Sequence, residues 1–318
     1  LKSLTALAVV AGCLVAPATS QATLVFTRNP FKPTVFRAND NGSGAHRVGS
    51  GTNPHVSPDG QTIVYFGGSN GSKPAELMIA AASGGAPRRL ALNWQDPFVF
   101  AWSPDSTTIA VLLGKEFGHQ RLTTIDLATG AQRMIASGYF SGVSFAPEGG
   151  ELVYSRAPKE DFPPKSDIYR ASLTSGKKPV RLTHDHVSGS PLWGPNGKIV
   201  FVKFLGQKQR QFGPKNELFL MSPSGARVKQ LTHTKVDPLL SGLNPTAWSA
   251  NGKHLLAEFG GQDTTYAVTV NPKTGAERAL TKQREIGFVG TAISKDGRFV
   301  LGNLGGFEPA SNRKVLSI

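Results

Sequence analysis

The chain has 318 residues, of which 39% are hydrophobic, with 36 glycines, 22 prolines and a single cysteine. That balance suits many short strands joined by tight turns, and it excludes long helical tracts and a disulfide framework. The 35 lysines and arginines against 21 acids leave a formal charge of +14, so a partner drawn in by net charge is anionic.

Residues 1–22 read as a secretory signal peptide. An apolar run from Leu4 to Ala16 follows Lys2, and the small-residue stretch ending Ser20-Gln21-Ala22 supplies a cleavage site after Ala22. Cys13 lies inside this leader. The tetrad Val10-Ala11-Gly12-Cys13 has the form of a bacterial lipobox, which would make Cys13 a lipid-anchored N-terminus. The apolar Leu14-Val15-Ala16 stands where a polar tether would then be expected, so a periplasmic or secreted protein is the preferred expectation and the lipoprotein the alternative. No later segment approaches the roughly 20 apolar residues of a spanning helix, so no transmembrane segment is expected in the mature chain. Residues 23–318 are expected to form one domain.

The first three β segments are Leu24-Val25-Phe26, Val35-Phe36-Arg37 and His46-Arg47-Val48. A turn motif then appears that recurs six times: Ser57-Pro58-Asp59-Gly60, Ser103-Pro104-Asp105-Ser106, Ala146-Pro147-Glu148-Gly149, Gly194-Pro195-Asn196-Gly197, Ser249-Ala250-Asn251-Gly252 and Ser294-Lys295-Asp296-Gly297. Proline presets φ, Asp or Asn bonds back to the local backbone, and glycine takes the positive-φ position, so each motif is a strand-to-strand turn. The interval is about 45 residues, the length of a four-stranded propeller blade. Within each repeat an inner strand A precedes the turn, as in Phe100-Ala101-Trp102. An apolar strand B follows it, as in Ile63-Val64-Tyr65-Phe66. Strand C comes next, as in Asp167-Ile168-Tyr169-Arg170, and an outer strand D closes the repeat, as in Val180-Arg181-Leu182-Thr183.

The fold expected is therefore all-β, a six-bladed β-propeller of four-stranded antiparallel blades. The first three segments read as B, C and D, and Phe288 to Ile293 is expected to supply their missing A strand, so that the two ends of the chain close the ring. Phe299-Val300-Leu301 and Val315-Leu316-Ser317 read as further B and C strands, which leaves seven blades with one incomplete as the alternative.

The repeat resembles that of the TolB family, periplasmic WD-like propellers of the Tol-Pal envelope system. The resemblance rests on the Ser57-Pro58-Asp59-Gly60 unit, on Trp102, Trp193 and Trp248 before the turns, and on the closing pairs Leu182-Thr183, Leu231-Thr232 and Leu280-Thr281. It covers Leu24 to the C-terminus and implies the propeller, the periplasm and a protein partner. TolB carries an N-terminal α/β domain before its propeller, whereas here strands begin right after the leader. Prolyl oligopeptidase-type enzymes have similar repeats and an α/β-hydrolase domain, for which these residues leave no room.

Neither a G-x-S-x-G elbow, an H-E-x-x-H helix nor a phosphate-binding glycine loop occurs, which points away from the common hydrolases and nucleotide enzymes. The candidate site consists of His184, Asp185 and His186 after one D strand, with His233 in the matching place one repeat on. Alternate residues of an extended segment face one way, so two imidazoles there could share a divalent metal. This H-x-H spacing resembles the histidine-centred metal site of the oligogalacturonate lyases, although Arg181 precedes it where a neutral ligand would be wanted. No cofactor is expected on the preferred reading.

Strand direction puts these histidines at the same end as the long B-to-C loops, opposite the anchor turns. The basic stretch Lys203, Lys208, Arg210 and Lys215 at that end is the local candidate for an anionic polymer. Cations in the D strands, among them Arg88, Arg89, Arg133 and Arg181, read as protection of exposed edges, and nucleic acid is not an expected partner. The expectation is a non-catalytic binding scaffold of the bacterial envelope, engaging a protein or envelope component through the loop end and channel mouth. The alternative is a polysaccharide lyase-type enzyme acting on a polyanionic sugar.

Overall fold

The computed structural model describes residues 23–28, 32–39, 42–67, 76–90, 100–114, 118–161, 165–206, 215–234, 240–261, 266–280, 288–293, 297–304 and 313–317. The expected leader with Cys13, most of the last anchor, and Lys208 and Arg210 lie outside the described residues. All regular structure among the described residues is β, and no helix there is long and apolar enough to cross a membrane.

The anchor turns form as their chemistry dictates. Ser57 Oγ donates to Asp59 Oδ1 at 2.5 Å and accepts the Thr62 amide, while Asp59 Oδ1 accepts the Gln61 amide at 2.9 Å. Ser103 and Asp105 repeat the arrangement, as do Ser249 and Asn251. Gly60 closes its turn at φ +76°. Ser106 takes the same place at +63°, and its hydroxyl accepts the Asp59 amide of the preceding repeat.

Each turn joins neighbouring strands of one antiparallel sheet. Sheet one has three strands, β1 (Thr23–Arg28), β2 (Thr34–Asn39) and β3 (His46–Ser50). Sheet two comprises β4 (Thr52–Val56), β5 (Thr62–Gly67), β6 (Glu76–Ala81) and β7 (Arg88–Arg89), and sheet three β8 (Phe100–Trp102), β9 (Thr108–Leu113), β10 (Gln120–Asp126) and β11 (Gln132–Gly138). Sheet four holds β12 (Val143–Phe145), β13 (Glu151–Arg156), β14 (Asp167–Ser172) and β15 (Val180–Arg181). Sheet five holds β16 (Ser188–Trp193), β17 (Ile199–Phe204), β18 (Asn216–Met221) and β19 (Lys229–Gln230). Sheet six is made of β20 (Leu240–Trp248), β21 (Leu255–Gly261), β22 (Tyr266–Val270) and β23 (Glu277–Ala279). It meets sheet five through one parallel bridge, Asn216 to Gly242. A side chain at Gly242 would strike the Asn216 carbonyl, with Cβ only 2.3 Å from the oxygen. The last sheet has three strands, β24 (Phe288–Ile293), β25 (Phe299–Leu304) and β26 (Arg313–Ser317).

Six apolar clusters hold these sheets, and each cluster joins two consecutive ones. Val35 meets Ile63 and Tyr65 between sheets one and two, and Val64 and Leu77 meet Ile109 and Val111 between two and three. The series continues to Leu256, Ala267 and Val300 between six and the last. Central strands are buried on both faces, which is why β5 reads as an apolar run: Ile63 and Tyr65 serve one interface, Val64 and Phe66 the other. Trp193 and Trp248 pack between sheets as expected, and Trp248 Nε1 reaches the Leu192 carbonyl of the preceding sheet at 3.4 Å.

One expectation is corrected. Phe288–Ile293 does not complete the first sheet: β24 pairs with β25 from Phe288–Leu304 to Ile293–Val300, and among the described residues β1 pairs with β2 alone. The physical reason is proximity. A hairpin closed by an anchor turn needs little loop-closure entropy, whereas pairing with β1 spans the chain.

Candidate functional site

Because the strands alternate in direction, the D-to-A and B-to-C connections emerge at one end of the sheets and the anchor turns at the other. The loop end of sheet four is organised by Asp167, the first residue of β14, whose side chain is buried. Arg181 Nη2 pairs with its Oδ2, and His186 Nδ1 lies 2.9 Å from the same oxygen. Its Oδ1 accepts the Thr183 hydroxyl at 3.2 Å and the His186 amide at 3.1 Å. Thr183 Oγ1 in turn accepts the Ile168 amide at 2.9 Å, and Arg181 Nε donates to the Thr183 carbonyl. The loop from D to the next A is thus folded around one carboxylate, and His186 reaches it with φ at +58°.

Sheet five repeats the device. Glu217, fully buried at the start of the third strand, accepts the Thr232 hydroxyl at 2.5 Å and the Thr234 amide at 2.9 Å, and pairs with Lys215 at 3.0 Å. Thr232 Oγ1 accepts the Leu218 amide, as Thr183 does with Ile168. The recurring Leu-Thr pair is therefore half of a clamp: leucine fills the core, and threonine links the D strand to an acid one strand away.

Asp185 has its own partners, Ser188 Oγ at 2.8 Å, the Val187 amide at 3.2 Å and Lys203 Nζ at 2.7 Å. Burial pushes its pKa up, but the bonds from Lys203, Ser188 and Val187 outweigh that and hold it below the usual carboxylate range. Lys203 also lies over the Phe219 ring, 5.0 Å from its centroid. Of the expected basic contact, Lys203 and Lys215 pair with Asp185 and Glu217, and Lys208 and Arg210 lie outside the described residues.

His184 and His233 are exposed and, among the described residues, make no hydrogen bond or ion pair. His184, Asp185, His186 and His233 thus share the loop end, where His186 is held by Asp167 and Arg181 and Asp185 by Ser188, Val187 and Lys203. No group of three or more His, Cys, Asp or Glu placed to hold a metal occurs among the described residues.

Sequence reasoning missed Asp167 and Glu217, which stand 16 and 15 residues before the threonine of their Leu-Thr pairs. It also missed a serine cluster where sheets four and five meet. Ser141 Oγ lies 2.7 Å from Ser155 Oγ and accepts the Ser190 amide at 3.1 Å. Ser190 precedes Pro191 at φ +46°, in a bulge of β16, and Asn53 before Pro54 repeats this in β4 at +50°. Strained backbone of this kind collects at binding surfaces, and an Asn-Pro step inside the A strand does not by itself signal it, since Asn244 before Pro245 in β20 has no positive φ.

No family model and no curated protein matches the chain. Solved structures do. TolB from Acinetobacter baumannii superposes with a TM-score of 0.60 at 15% identity, over 93% of this chain and 80% of that one. An oligogalacturonate lyase in complex with manganese gives 0.62 at 15% identity, over 93% and 81%. The β-propeller domain of the Trilobed protease from Pyrococcus furiosus, described as having an open velcro topology, gives 0.64 at 14% identity, over 92% and 88%. The fold is a β-propeller.

Proposed function

We propose that the chain is a non-catalytic, exported binding scaffold of the bacterial envelope, which engages a protein or envelope component through its loop end and the mouth of its central channel. Among the described residues its seven sheets pack in series. Six successive apolar interfaces join them, and β1 and β24 pair in separate sheets.

The observation that carries the scaffold reading is the pair of carboxylate clamps. Asp167 and Glu217 spend their hydrogen-bonding capacity on their own D-to-A loops, so these groups order a surface and are not free to act on a substrate. A surface ordered in advance loses little entropy when a partner docks. The test is capture from envelope extract by the immobilised protein, compared with a His184→Glu, His233→Glu variant. Among the described residues these two exposed side chains make no hydrogen bond or ion pair, so the variant should stay folded and lose the partner. Identical capture by both proteins, or no capture at low or high salt, contradicts the reading.

A second reading, a polysaccharide lyase-type enzyme with a histidine metal site, has in its favour the three histidines at one end of the sheets. The described residues do not fit a metal, because Asp167 and Arg181 already engage His186 and no third ligand converges. No catalytic step is derived through one. A divalent metal that copurifies and disappears in a His184→Ala, His186→Ala variant would replace the scaffold reading with this one.

A further inference from the structure

Several cations among the described residues differ between the two ends of sheets two, four and five. Four at the loop end are ion-paired: Arg181 with Asp167, Lys203 with Asp185, Lys215 with Glu217, Arg89 with Glu76. At the anchor end of sheets four and five, the turns from C to D read Lys177-Lys178-Pro179-Val180 and Arg227-Val228-Lys229. These four cations are exposed and, among the described residues, make no ion pair. Arg227 holds its turn at φ +57°, a conformation that residues other than glycine seldom adopt.

The second feature of this rim is apolar. Of the four large hydrophobic side chains most exposed among the described residues, two stand here, Val180 at 52% and Val228 at 46% exposure, beside the outer strands β15 and β19. Each is flanked by a cation of its own or the neighbouring repeat. Exposed apolar side chains interleaved with unpaired lysine and arginine are the features with which a surface enters the headgroup layer of an anionic bilayer. No aromatic side chain stands among these exposed hydrophobics, so the rim lacks the stacking platform that single-stranded nucleic acid requires.

We infer that the anchor-turn rim of sheets four and five is a docking surface for anionic lipid headgroups, which would leave the loop end facing away from the membrane. This surface is independent of the loop-end reading, and its test does not involve the loop-end partner.

The test is flotation of the whole protein with vesicles of phosphatidylcholine alone, and of phosphatidylcholine mixed in equal parts with phosphatidylglycerol. Binding is expected to the mixed vesicles only, and to weaken with salt. The Lys177→Gln, Lys178→Gln variant should bind about thirtyfold more weakly, from roughly 1 kcal/mol per basic residue beside an anionic surface. A Lys159→Gln, Lys165→Gln variant removes the same charge from the opposite end of the same sheet and should bind as the parent does. Val180→Ser with Val228→Ser should abolish the binding that persists at high salt. Circular dichroism confirms that each variant is folded. Equal loss in the two lysine pairs, equal binding to neutral vesicles, absence of vesicle binding, or retention on heparin without vesicle binding would each overturn the inference.

Discussion

Thr183 donates its hydroxyl proton to Asp167 at 3.2 Å while the same oxygen accepts the amide of Ile168, the residue next to that acid, at 2.9 Å. One side chain therefore ties an outer strand to its neighbour and orients a buried carboxylate. Removing the acid leaves Arg181, the Thr183 hydroxyl and the His186 amide without their acceptor. Asp167→Ala is expected to cost about 3 kcal/mol, the range for breaking a buried charged network. Asp167→Asn, which keeps one acceptor, should cost less. Urea denaturation of the two variants checks the order.

Two adjacent arginines of β7 are expected to behave differently. Arg88 Nη2 donates to the Leu127 carbonyl of the next sheet at 2.8 Å, whereas Arg89 makes an exposed ion pair with Glu76. Arg88→Ala should destabilise by about 1–2 kcal/mol, since a charged hydrogen bond between sheets is lost. Arg89→Ala should stay within about 0.5 kcal/mol of the parent. Thermal melts of the two variants compare them.

His55 sits in the A strand of sheet two, where sheets three to six place Ala101, Ser144, Leu192 and Ala247. Burial lowers its pKa to about 4, against 6.5 for the free side chain. Between those values the unfolded chain binds more protons than the folded one, so stability is complete above pH 6.5 and falls as the pH drops toward 4. The share of this one group is on the order of 3 kcal/mol. His55→Phe should flatten the stability profile in that window, as measured by denaturant unfolding at a series of pH values.

Glu258 stands in the B strand of sheet six at the position held by Phe66, Leu112, Ser155 and Val202 in the four preceding sheets. Burial raises its pKa, so the folded state loses stability as the pH rises through the shifted value and the carboxylate ionises. Glu258→Val should therefore raise the melting temperature at pH 8 and change it little at pH 4. A lower melting temperature at pH 8 would mean that the carboxylate has a favourable partner.

Much of the fold was legible because its turns are made of local chemistry. Ser57, Asp59 and Gly60 build their turn from groups within five residues of each other, and the apolar run of β5 records burial on both faces. The place of Phe288–Ile293 was not legible, since an A strand pairs equally well with either B strand by pattern, and only the cost of loop closure separates them. The D-strand arginines were read as edge protection, whereas Arg88 and Arg133 donate to the Leu127 and Leu173 carbonyls of the following sheets. Such contacts lie about 40 residues apart in sequence and leave no periodic trace. In the candidate site, His186 was visible as a polar residue after a D strand. Its engagement by Asp167 was not, because the acid belongs to a different strand.

The ordering of the loop end before any partner arrives is tested most directly by amide hydrogen exchange at His186 and Thr234, the two loop amides that donate to Asp167 and Glu217. Slow exchange is expected at both in the free protein, with selective acceleration at His186 in Asp167→Asn and at Thr234 in Glu217→Gln. Exchange at both sites as fast as in an unstructured loop would contradict the clamps and, with them, the scaffold reading.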